Sequence, residues 1–332
     1  MGIGIRMKLC VLGLLAASMV LAQKPVPRPK VHSDFAFASF PVSREAALIL
    51  AKEKYRYMLV AFHEGWDFEK IGKEMKVTDE EVDKIFSDLD TEHLATQTQD
   101  SDPRPNIPVI REKDIQLIKT SLEKHSDGFA KVIAGSWSQI ETTASSLNGA
   151  KGVPKEELMY QLVTSGMLLG TMIDVFYEDK TLIPPGPRRG RGQRYYAWLV
   201  EGDPKYAGRI QREEGQGDGY TIVTVGPTVP AIRPTLNEIR TGRGMVLDEA
   251  ESRRLRSVLT IICRDKLLPY LKENRNDFLK VAGQLRAGKY SSFGEFFAWY
   301  YIQIVNGAVD DIVESKRMLP PADLYAYAVK TL

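Results

Sequence analysis

The sequence predicts a mainly α fold carrying a small antiparallel β element. Apolar residues recur at helical spacing between residues 43 and 182, and again after residue 235. Between them, residues 194–226 turn aromatic and β-branched, the composition of strands. Gly/Pro-rich stretches stand at the changes of period. With 332 residues, 43% of them hydrophobic, the chain is long enough to bury a core and to form more than one unit.

Residues 1–22 read as a secretory signal. Arg6 and Lys8 precede an apolar run from Leu9 to Leu21, and Val20-Leu21-Ala22 closes it with residues suited to cleavage before Gln23. The run is shorter than the roughly 20 apolar residues of a membrane span, so no span is expected in the mature chain. The expected location is therefore outside the cytoplasm, in a bacterial periplasm or medium. Without that segment the chain keeps 43 basic and 43 acidic residues and a single cysteine, Cys263. An intramolecular disulfide and a cysteine zinc site are excluded on that count. A balanced charge also argues against nucleic acid as the partner. Residues 23–42, opening "QKPVPRPKVHSD", are Pro- and Lys-rich and predict an extended tether.

Residues 43–95 predict a tri-helical subdomain. Ser43 is the N-cap of a helix running to about His63 and stopped by Gly65. The next stretch, "WDFEKIGKEMKVTDEEVDKIFSDL", resembles a helix-turn-helix in shape. Phe68, Ile71 and Met75 form one apolar face, Val77 sits in the turn, and Thr78 with Glu81 forms a capping box. Val82, Ile85, Phe86 and Leu89 then repeat as a packed helix requires. Its chemistry opposes DNA reading, because the groove-facing helix would carry Asp79, Glu80, Glu81, Asp83, Asp88 and Asp90 against Lys84 alone.

Residues 96–111 predict a polar, Pro-containing linker. Residues 112–182 form a first helical unit, with Ile115, Ile118, Leu122, Phe129 and Ile133 at helical spacing, a break at "NGAKGVP", and a helix from Lys155 to Tyr177. Residues 183–234 hold a basic loop and three antiparallel strands, "RYYAWLV", "YAGRIQRE" and "YTIVTVG", with "GQGDG" as a tight turn. Residues 235–332 form a second helical unit. At an offset of 137, Gly170 matches Gly307, Asp174 matches Asp311, Leu182 matches Leu319 and Pro184 matches Pro321. Two readings stand: a duplicated helical unit, or two amphipathic helices that both end in Pro.

The candidate binding surface is the stretch holding Arg188, Arg189, Arg191 and Arg194, followed by Tyr195, Tyr196 and Trp198. Arginines in a Gly/Pro loop beside aromatic faces suit phosphates, sulfated sugars or acidic polymers. The competing reading is a solvated hairpin lead-in whose arginines pair with Glu213 and Glu214. In a strand, Tyr196 and Trp198 share one face and Tyr195 the other, so one aromatic set is expected in the core. No catalytic residue, metal ligand or cofactor site is expected. The four histidines are scattered without helical i, i+4 pairing, and "HEGWDFE" lacks a second histidine. Asp174 and Asp311, with Asp310 and Glu314, are either facing carboxylates for acid–base work or an exposed helical stripe. "FGEFFAWYYIQIV" is either the central core helix or one wall of a cavity.

The expected function is an exported, non-catalytic binding or scaffolding protein. Its partner would be an anionic polymer, a protein or an envelope component. The alternatives are a secreted hydrolase using helix-borne carboxylates, and a DNA-binding regulator if residues 1–22 are not a signal.

Overall fold

The computed structural model describes residues 35–97, 102–203, 205–208, 211–226, 233–242, 244–321 and 325–330. The expected signal, residues 1–22, and the tether over residues 23–34 lie outside them. The described part is mainly α with small sheets, as the periodicity predicts.

Strand β1 (Phe35–Phe40) occupies what reads from sequence as the end of the tether. It is made of phenylalanines and small residues and pairs antiparallel with β7 (Tyr196–Glu201), Phe35 opposite Glu201 and Phe40 opposite Tyr196. The predicted first helix is two, α1 (Arg44–Leu50) and α2 (Glu53–His63). Arg56 explains the break locally, since its guanidinium takes the free carbonyls of Leu50 and Ala51 at the end of α1.

Helices α3 (Phe68–Met75) and α4 (Asp79–Thr91) follow the predicted pattern. Lys76 adopts the left-handed conformation in the turn, and the Thr78 hydroxyl accepts the Glu81 N–H at 3.3 Å. The capping box is only half made, because the Glu81 carboxylate reaches Lys54 of α2 instead, at 2.5 Å. Met58, Phe62, Ile71, Met75, Ile85 and Leu89 form the core of this part, with Phe62, Phe68 and Phe86 in mutual edge-to-face contact.

The described residues of the stretch 96–111 are held by strand pairing and are not a free linker. Strands β2 (Ala95–Thr96) and β3 (Arg104–Pro105) pair, and β4 (Val109–Ile110) joins β7 in parallel. Ile107, Val109 and Ile110 are fully buried, so the apolar end of the stretch outweighs its polar start.

Helices α5 (Glu112–Gly135) and α6 (Trp137–Ser145) open the body. A long rod follows: α7 (Lys155–Tyr160), a π-helical segment Gln161–Thr171, and α8 (Met172–Asp179). By length and composition this rod could cross a membrane, yet 83% of its apolar window is buried inside the protein, as in a core helix. Next come the hairpin β5 (Arg188–Arg189) and β6 (Gln193–Arg194), then β7 (Tyr196–Glu201).

The three predicted strands do not share one sheet. β7 is the middle strand of β1-β7-β4. "YAGRIQRE" divides into α9 (Lys205–Gly208) and the start of β8 (Gln211–Gly217). β8 and β9 (Tyr220–Gly226) form a hairpin whose two-residue turn places Asp218 and Gly219 at positive φ, the twist such hairpins need.

The second helical unit comprises α10 (Leu236–Thr241), β10 (Val246–Leu247), α11 (Glu249–Ile262), a π-helical turn Cys263–Leu267, α12 (Leu268–Glu273), α13 (Arg275–Gln284) and α14 (Phe293–Glu314). It also contains an unpredicted strand, β11 (Tyr325–Lys330), which gives the second sheet its order β10-β11-β9-β8. One face of this sheet, through Ile222 and Ala328, is covered by Leu236 and Ile239 of α10. Its other face turns toward the body.

Candidate ligand-binding site

That second face follows from strand alternation. Arg212 lies opposite Val225 and Glu214 opposite Val223, while Tyr325, Tyr327 and Val329 of β11 lie opposite Val225, Val223 and Thr221. These residues therefore point the same way. Two tyrosines tie the face to the π-helical segment: Tyr325 hydrogen-bonds Thr164 at 3.1 Å and Tyr327 bonds Ser165 at 2.9 Å.

Beyond the tyrosines the layers separate and leave a cleft of about 630 Å³. Leu169, Ile173, Leu255 and Leu259 give it an apolar wall, and Phe40–Val42 form part of the rim. The volume falls in the usual range for small-molecule sites, about 300–1,000 Å³. Leu169 of this wall, with Gly166, Gly170 and Thr171 beside it, belongs to the π-helical stretch, a form often found beside functional sites. The widening shows in the Thr171 hydroxyl, which donates to the Gly166 carbonyl five residues back at 2.9 Å.

Arg212 is the principal charged group of the cleft. Its guanidinium lies against the helix backbone at Gly170, where a Cβ would stand 3.2 Å from Nη2 and 2.8 Å from the Ser165 carbonyl. Glycine at 170 is what lets the side chain lie there. Nη2 donates to Glu214, whereas the buried Nε has no hydrogen-bond partner. Burial works against the Arg212 charge, but Tyr327 and Glu214 outweigh it and hold the group above its ordinary value. Around it, Asp174 pairs with Arg256 at 3.2 Å, and Glu213 pairs with Arg44 at 2.9 Å and Arg233 at 3.4 Å. Burial raises Asp174 above the usual carboxylate range, more than Arg256 lowers it.

The Arg/aromatic stretch takes a different place from the one its composition suggests. Arg188, Arg191 and Arg194 are exposed on the β5–β6 hairpin. Arg189 is 1% exposed and pairs with Glu295 of α14 at 2.7 Å. It also donates to the carbonyls of His93, Asn106 and Tyr195. Tyr195, Tyr196 and Trp198 are all buried, Tyr195 in the N-terminal core and the other two in the core of the body. Both faces of the aromatic run are internal because β7 is a central strand, so the seven residues do not form one binding surface. Nor do the arginines pair with Glu213 and Glu214, which are held by Arg44, Arg233 and Arg212.

Asp174 and Asp311 do not face each other. Asp174 lines the cleft, while Asp311 is exposed on α14 with Asp127, Glu314 and Asp310 as its nearest charged influences. His63 and His125 are buried hydrogen-bond partners of Tyr290, at 2.8 Å, and Tyr300, at 2.9 Å. Burial lowers them to about 3 and about 4, so both are neutral at ordinary pH. Among the described residues no group of three or more His, Cys, Asp and Glu suits a metal ion.

Helix α14 is core. Phe296, Phe297, Trp299, Tyr300 and Tyr301 are fully buried, and none of them lines the cleft. On α4, Glu81 and Asp88 are engaged by Lys54 and Tyr55 of α2, while Asp79, Glu80 and Asp83 face solvent. The residues that build the cleft, Gly170, Arg212 and strand β11, carry only faint sequence signals. The best of them is the alternation in "YAYAVK". A search of family models, curated proteins and solved structures finds no match to the chain.

Proposed function

We propose that the protein is a non-catalytic binding protein and that the cleft between the second sheet and the π-helical segment is its ligand site. One observation carries this reading: a buried guanidinium N–H without an acceptor, at Arg212, beside a wall of aliphatic side chains. A buried donor left unsatisfied costs about 1–3 kcal/mol, which a ligand acceptor would remove. Export by way of residues 1–22 belongs to the same proposal and predicts an intact mass beginning at Gln23 outside the cytoplasm.

The three exposed hairpin arginines are not the principal contact in this reading, because the aromatic partners that would have completed their surface are internal. The cleft is tested by extraction. Protein purified from its natural source is denatured and the released small molecules are identified by mass spectrometry. A ligand near stoichiometric amount is expected from the wild type and is lost from Leu255→Trp, which fills the cleft from α11. Equal release from both proteins, or none from the wild type, would sink the reading.

A further inference from the structure

The cleft is neither evenly charged nor evenly polar, and both asymmetries bear on what fits it. Among the described residues, three cations line the cleft, Arg212, Arg256 and Lys330, and Arg44 and Arg233 pair with its Glu213 from outside the lining. They face three carboxylates, Asp174, Glu213 and Glu214. Each carboxylate already holds a guanidinium, so a cationic ligand would have to displace one, whereas an anion adds a missing partner.

The hydroxyls argue separately. Thr171 donates to Gly166, Thr221 accepts from Gln216 at 3.0 Å, Ser252 donates to Asp248 at 2.6 Å, and Tyr327 is bonded to Ser165. Four of the five lining hydroxyls, all but that of Tyr177, are thus already engaged, which suits a hydrocarbon better than a sugar or polyol. Gly166 and Gly170 add no side chains, so an apolar body can lie close against the helix.

We propose that the ligand is an amphipathic anion, a monocarboxylate with a hydrocarbon body. The carboxylate sits against the guanidinium of Arg212, and the body lies along Leu169, Ile173, Leu255 and Leu259. This rests on the cleft being the binding site. The guanidinium supplies a charge-assisted hydrogen bond with directional geometry, and the aliphatic wall supplies burial.

The test is isothermal titration calorimetry on the full chain with three ten-carbon probes below their micellar concentrations: decanoate, decanol and decyltrimethylammonium. Decanoate is expected to bind about tenfold or more tighter than decanol. Arg212→Gln brings decanoate to the decanol level and leaves decanol unchanged. Glu214→Gln, a change at a surface-accessible carboxylate, removes the competitor for the guanidinium and tightens decanoate binding. That variant keeps the test open should Arg212→Gln fail to fold. Decanoate and decanol binding equally, or the ammonium probe binding best, overturns the anionic class while leaving the cleft as a site. Binding of all three that persists unchanged in Leu255→Trp overturns the cleft itself, as does no binding to the wild type.

Discussion

Arg189 has four acceptors from four segments: the carbonyls of His93, Asn106 and Tyr195, and the carboxylate of Glu295. Removing one partner of a buried ion pair leaves the other uncompensated, which costs about 3–5 kcal/mol. Arg189→Ala should therefore lower stability by that order in urea unfolding, while Arg191→Ala, at an exposed position, should change it by less than about 0.5 kcal/mol. Equal effects from the two would mean that the Glu295 pair is not what holds the hairpin. Four arginines in seven residues look alike in sequence because none of them is apolar. Which one turns inward is decided by the pairing of Arg189 with Gln193 and by an acid 106 residues away. Nothing local reports that. The cleft was equally hidden, since Arg212 sits in a strand as an ordinary charged residue until β11 and Gly170 close around it.

At the scale of elements, periodicity was a good guide wherever helix and core agree. The faces of α3 and α4 follow Phe68, Ile71, Met75, Val82, Ile85 and Leu89 as the spacing predicts, because an apolar stripe needs only one partner surface. Strand β11 was missed because its partner β9 lies about a hundred residues earlier, and six alternating residues after a Pro carry little weight alone. The π-helical stretch has no spacing signature at all. Its glycines do leave a measurable trace. A Cβ on Gly170 would strike the Ser165 carbonyl, whereas one on Gly283 of α13 would meet nothing within 4 Å. Gly283→Ala should stabilise the protein by about 0.5–1 kcal/mol through helix propensity. Gly170→Ala should destabilise it by about 1–3 kcal/mol despite that same gain, since backbone must move. Similar urea midpoints for the two variants would show that the turn has room that the geometry denies. The matched positions 170 and 307 also sit differently, Gly170 against Arg212 and Gly307 against Ser126, so the offset of 137 does not reproduce the surroundings of its best-aligned glycines.

For the whole molecule, two apolar cores meet at the two faces of β7. Tyr195, Ala197 and Leu199 complete the N-terminal core, while Tyr196, Trp198 and Val200 belong to the body. A fragment of residues 43–97 therefore lacks part of its own core and should show no cooperative thermal transition by circular dichroism. A sharp transition in that fragment would show that it closes its core without β7. Sequence cannot reveal such sharing, because a strand buried on both sides reads simply as a continuous apolar run.

Strand β1 carries a consequence in time. It pairs with β7, whose residues are made some 160 positions later. At roughly 5–20 residues per second of synthesis, the phenylalanine-rich strand waits about 8–30 s before its neighbour exists. During that wait its backbone donors and acceptors stand open, so the nascent chain has a sticky segment before it has a sheet. Chaperone demand should fall once residue 201 has left the ribosome.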